Sequence, residues 1–140
     1  MSDRKLYFLD TNILLYSISR DPGEITKRER AVELLDSAEA ALSVQVLQEF
    51  YVQATSRSRP DALPHEIAAG LIRTWTRFKI QEIDLGILAA ALEIRAAHGF
   101  SYWDSAIVAA ARALGCRELY TEDLTHGQRI DQVVIVDPFR

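Results

Sequence analysis

Lys5-Leu6-Tyr7-Phe8-Leu9-Asp10-Thr11-Asn12 is the stretch whose reading decides the fold. Its apolar run predicts a buried strand, and the Asp-Thr-Asn after it opens a short helix reaching about Ser17. An acid at that joint stands at the carboxyl end of a strand, where open parallel sheets bind ligands. A second joint of the same kind follows Glu118-Leu119-Tyr120-Thr121, a strand-like run with Asp123 just beyond it. Between the two joints the pattern alternates. Asp21-Pro22-Gly23 marks a turn, and Ile25 to Ala40 reads as an amphipathic helix with Ala31, Leu34, Leu35 and Ala38 on its apolar face. A brief strand over Ala41 to Ser43 leads into a helix over Val44 to Ser56, where Val46, Leu47, Phe50, Tyr51 and Ala54 form the apolar stripe and Glu49 falls off it. After a loop, a helix over His65 to Phe78 and a strand over Lys79 to Ile83 are expected, with Asp84 capping a helix from Leu85 to Ala97. Gly99 suits a helix C-cap. Tyr102 to Leu114 is the most apolar helix, and its alanines allow close approach to a sheet or another helix. Strands over Arg117 to Thr121 and Val133 to Val136 complete an α/β alternation, which implies a parallel sheet with helices on both faces.

At 140 residues and 15.8 kDa the chain fits one domain with a core that needs neither disulfides nor a structural metal. Residues 1–140 show no internal repeat, low-complexity tract or linker. The 49% hydrophobic and 26% charged composition is that of a globular protein, and no apolar run approaches the roughly 20 residues of a membrane helix. Met1-Ser2-Asp3-Arg4-Lys5 lacks the apolar region of a signal peptide, so the expected location is the cytoplasm. The single cysteine, Cys116, offers neither a disulfide framework nor a Cys-rich zinc site and is expected to be a small buried apolar residue. A net charge of −4 and a pI near 5.4 argue mildly against nucleic acid. That objection weakens if several acids belong to a cation-binding site.

Asp10, Glu49, Asp104 and Asp123 are the candidates for such a site. Each has an ordinary reading: Asp10 as a helix cap, Asp104 as the acid of a Ser101-Tyr102-Trp103-Asp104 capping box, Glu49 as a solvated helix residue, Asp123 as a turn former. Together they recur where a doubly wound fold would bring carboxylates around one crevice. Hard oxygen ligands from several elements suit Mg²⁺ or Mn²⁺ better than zinc, and metal-assisted phosphodiester hydrolysis is the chemistry implied. Thr11, Asn12 and Ser105 are placed to support the acids by hydrogen bonding, or simply to cap helices. Glu122 is the alternative to Asp123, although neighbours on an extended segment point to opposite sides. Arg57, Arg59 and His126 are possible substrate contacts, with a solvated surface as the plainer reading. Tyr102 and Trp103 are expected in a core or interface, or stacked on an unpaired base.

With these residues in place, the chain resembles a PIN-domain ribonuclease, most closely the VapC toxins of type II toxin–antitoxin pairs. The resemblance rests on Leu9-Asp10-Thr11-Asn12, Gln48-Glu49-Phe50, Tyr102-Trp103-Asp104-Ser105 and Tyr120-Thr121-Glu122-Asp123-Leu124, in that order, and runs from about Lys5 to Phe139. It implies a three-layer α/β/α domain with a five-stranded parallel sheet of order 3-2-1-4-5. It further implies Mg²⁺- or Mn²⁺-dependent cleavage of single-stranded or structured RNA, transfer RNA or ribosomal RNA among the targets. The acids Asp10, Glu49, Asp104 and Asp123 would be both the catalytic and the metal-binding residues. A homodimer and a small VapB-like antitoxin, filling the groove and presenting an arginine to the carboxylates, are the implied partners. Haloacid-dehalogenase-like phosphatases need a second Asp where Asn12 stands, and phosphoreceiver modules need paired acids and a lysine that are not found. A catalytically silent PIN fold that only binds RNA or protein is the alternative.

Overall fold

The structure is a computed structural model that describes residues 5–140; the expectation for Met1 to Arg4 lies outside them. The elements are β1 (Tyr7–Leu9), α1 (Thr11–Ser17), a 3₁₀ turn (Pro22–Glu24), α2 (Ile25–Leu35), β2 (Ala40–Ser43), α3 (Val44–Ala54) and α4 (His65–Trp75). They continue through β3 (Lys79–Gln81), α5 (Leu85–His98), α6 (Tyr102–Ala113), β4 (Glu118–Tyr120), β5 (Arg129–Ile130) and β6 (Val133–Val136). Gly99 ends α5 in the left-handed region (φ 75°), its N–H donating to Arg95 O.

The strands lie in the order β3-β2-β1-β4-β6-β5. The first five are parallel neighbours and reproduce the expected 3-2-1-4-5. The expected strand count is corrected by β5, an antiparallel edge strand paired with β6 through Arg129↔Val134 and Ile130↔Val133. Its two residues are too few to carry a period, and the tight reversal depends on Asp131 adopting a φ of 53°. A second correction is the end of α2, which stops at Leu35 and leaves Ala38 exposed. There the Ser37 hydroxyl accepts from the Glu39 N–H (3.1 Å), turning the chain into β2 in the way short hydroxyl side chains compete with helix.

Crossovers from β1 through β2 to β3 run one way across the sheet, and the crossover from β3 to β4 runs back. Right-handed connections therefore put α1 to α4 on one face and α5 and α6 on the other. The contacts agree: α5 packs on α6, which touches β2, β3, β4 and β6, while α1 meets α2 and α3. Ala106, Ala109, Ala110 and Ala111 of α6 are buried, so their small side chains let the helix sit close to the sheet. Phe8, Leu9, Leu42, Leu119 and Ile135 fill the sheet's interior. Each such side chain contributes about 1.5–3 kcal/mol by leaving water. Phe50 and Trp75 meet edge to face at 4.7 Å, fixing α3 against α4. Cys116 is fully buried and its thiol is pushed up to about 12 by desolvation. No helix among the described residues is long and apolar enough to cross a membrane.

Candidate active site

The reversal of crossover direction falls between β1 and β4, which makes their carboxyl ends the switch point of the sheet. Register does the rest. Leu9 pairs with Tyr120, and the ladder continues through Asp10 N–H donating to Tyr120 O (3.1 Å), so Asp10 comes to stand beside Thr121. The Thr121 hydroxyl donates to Asp10 Oδ2 (2.9 Å) and accepts from Asn12 Nδ2 (3.1 Å) and the Asp123 N–H (3.0 Å). Its one donor and both lone pairs are thus committed. Asp10 also caps α1, Oδ1 accepting from the Thr11 N–H at 2.7 Å.

A cleft of about 170 Å³ is lined by Asp10, Glu49, Asp104 and Asp123 together, with Thr11, Asn12, Gln53 and Trp103 among its other walls. The acids form a gradient of exposure, from buried Asp10 through half-buried Glu49 and Asp104 to exposed Asp123. Glu49 Oε1 accepts from the Thr11 hydroxyl (2.7 Å), and Asp123 Oδ2 accepts from Asn12 Nδ2 (3.0 Å). Thr11 and Asn12 therefore tie the first joint to α3 and to the segment after β4, rather than serving Asp10 alone. Ser101 caps α6, its hydroxyl accepting from the Asp104 N–H (3.1 Å). Ser105 is buried, and its hydroxyl, like Asn12 Oδ1, has no hydrogen-bond partner.

Burial raises Asp10 to a pKa of about 7, against the pull of Thr11 and Thr121; the Asp123 and Glu49 carboxylates push the same way as burial. Asp104 is raised too, by desolvation first and then by Asp123 and Glu49. The ion pairs among the described residues are Lys27–Glu122, Arg59–Asp61 and Arg112–Asp131, and none takes one of the four acids. The cleft is an uncompensated set of hard oxygen donors, and that chemistry fits Mg²⁺ or Mn²⁺. Among the described residues no three acidic, His or Cys side chains are already drawn together at ion-holding spacing.

Four other candidates stand elsewhere. Glu122 does not line the cleft; it pairs with Lys27 (3.0 Å) and accepts from the Tyr16 hydroxyl. Arg59 is engaged with Asp61 at 2.8 Å, in a groove formed with Ser19, Arg20 and Asp21. Arg57 is exposed in the same loop and does not line the cleft. His126 Nδ1 accepts from the Asp137 N–H (3.0 Å), shaping its own loop. Trp103 is 63% exposed, outside the core, while Tyr102 is half-buried. Sequence reasoning missed Thr121 and Gln45. Gln45 is buried at the start of α3, and its Nε2 donates to Trp103 O (3.2 Å) and reaches Glu49 Oε2 (3.5 Å). A glutamine one turn before an off-stripe Glu49 is the signal the sequence carries.

The fold is shared with solved structures. A chain of a toxin-antitoxin complex from Klebsiella pneumoniae superposes with a TM-score of 0.67 at 22% identity, over 91% of this chain and 95% of that one. FitAcB from Neisseria gonorrhoeae gives 0.68 at 20% identity, over 96% and 99%. VapC20 from Mycobacterium tuberculosis, a sarcin-ricin loop cleaving toxin, gives 0.65 at 20%, over 84% and 91%. No curated protein matches the sequence. A family model described as the PIN domain matches residues 7–129, and the chain belongs to that family.

Proposed function

We propose that this protein is a metal-dependent endoribonuclease and the toxin of a toxin–antitoxin pair. The observation that carries the reading is the single cleft lined by Asp10, Glu49, Asp104 and Asp123 with no basic side chain paired to them among the described residues. PIN-family membership and the likeness to toxin chains support it. These four residues would hold the divalent ion, Mg²⁺ or Mn²⁺. When bound, such an ion supplies positive charge for a scissile phosphodiester and acidifies water.

The chain's own groups set the stage. Thr121 and the Thr11 N–H fix the Asp10 carboxylate, and burial excludes water from its inner side. Asn12 binds Asp123 and Thr11 binds Glu49, so the start of α1 links both acids to the joint that carries Asp10. Exposed Asp123 and Trp103 mark the side from which an RNA strand would enter. A small VapB-like antitoxin would cover the same cleft, an arginine from it answering the uncompensated charge. A homodimer is part of the reading, supported by the exposed Leu85, Leu88 and Leu92 along one side of α5.

The test is incubation of purified, antitoxin-free protein with total cellular RNA and a single-stranded DNA control, in Mg²⁺, Mn²⁺ or chelator, beside Asp10→Asn. Discrete RNA cuts that need metal and vanish in the variant are expected. Intact RNA under every condition would replace this reading with a silent RNA- or protein-binding module.

A further inference from the structure

Beside the acidic cleft lies a second, mostly apolar recess of about 300 Å³, lined by Gln45, Gln48, Glu49, Val52, Gln53 and Trp103. Glu49, Gln53 and Trp103 belong to both, so the two are one continuous surface. Trp103 directly precedes Asp104 and is 63% exposed, and Val52 is 66% exposed. With Val52 the indole forms an exposed apolar wall continuous with the carboxylate cleft. It is also held firmly: Tyr102 meets it edge to face at 5.1 Å, and buried Gln45 binds its backbone carbonyl at 3.2 Å.

We infer that this recess receives an unpaired base of the RNA strand whose phosphate lies at the carboxylates, with the Trp103 ring as stacking platform. The inference rests on the ribonuclease reading above and names how that site engages its substrate. An apolar peptide side chain would need only the Val52 and Trp103 wall. A base is apolar on its face and polar at its edge, and the recess offers both kinds of partner. The Trp103 ring would meet the face, and Gln48 and Gln53, exposed residues of the lining, carry amides able to donate to and accept from the edge. Stacking is tolerant of sequence, and the larger ring of a purine makes it the favoured occupant.

The chain's two tryptophans make the test direct. Trp75 is buried against Phe50, so a change in emission on adding nucleic acid reports Trp103. Short random-sequence single-stranded RNA, added to Asp10→Asn protein in Mg²⁺, should quench that emission. In cleavage by otherwise wild-type protein, Trp103→Ala should raise KM about tenfold with kcat little changed, and Trp103→Phe should recover most of the loss. Cleavage with a wild-type KM in Trp103→Ala, without quenching, overturns the recess and leaves the ribonuclease reading standing. No cleavage by wild type and no quenching overturns both. Emission that ignores RNA but shifts on adding a copurifying partner protein overturns the base in favour of a protein contact.

Discussion

Asp10 bears the heaviest electrostatic load of the four acids, because it alone is buried and two other carboxylates act on it. Its proton is held up to about pH 7 in the folded protein and released near 3.8 in the unfolded chain. Between those values the folded state binds more protons, so stability in chelator falls as pH rises. Asp10→Asn should therefore gain on wild type between about pH 4 and pH 8, by an amount on the order of 4 kcal/mol. Urea melts of both proteins at the two pH values check this; a pH-independent difference would refute it. Thr121→Val should cost about 1–3 kcal/mol, since it removes the hydroxyl's bonds to Asn12, the Asp123 N–H and Asp10 at once, while Thr121→Ser stays near wild type. Denaturant midpoints of the two variants decide it. Asp10, Asp104 and Asp123 could be singled out because each follows or opens an element, and Glu49, within α3, because it falls off the apolar stripe. Thr121 could not be, because its bonds reach from position 121 back to positions 10 and 12 and exist only through the β1–β4 register.

Elements with a strong period or a clear cap were readable, and those made by a single unusual residue were not. Asp84 accepting from the Ile87 N–H (2.8 Å) and Gly99 closing α5 follow from residue types alone. The β5–β6 reversal instead depends on Asp131 at a positive φ, with Arg112 paired to its carboxylate at 2.6 Å. That pair is largely exposed, so backbone conformation dominates. Asp131→Ala should lower stability by about 1 kcal/mol, and Asp131→Gly should be tolerated, as thermal melts of the two would show. Equal losses in both would mean that the Arg112 contact matters more than the turn. The end of α2 was misplaced for a related reason: Ala38 fits the helical period, but Ser37 satisfies the backbone locally and stops it.

The whole molecule is acidic, with a net charge of −4, and four of its 20 acids line one cleft. Alternation implied a parallel sheet and the family resemblance implied its strand order; the edge strand followed from neither, because no period survives in two residues. Self-association through α5 predicts that Leu88→Glu combined with Leu92→Glu yields a monomer in light scattering while the fold persists. A wild-type protein that is already monomeric would remove that part of the account. The central claim is that Asp10, Glu49, Asp104 and Asp123 form one cation-holding centre, and calorimetric titration of the purified protein with Mn²⁺ tests it most directly. Saturable binding is expected, weakened about tenfold or more in Asp10→Asn and in Asp104→Asn. Absence of saturable binding, or binding that neither substitution alters, would contradict it.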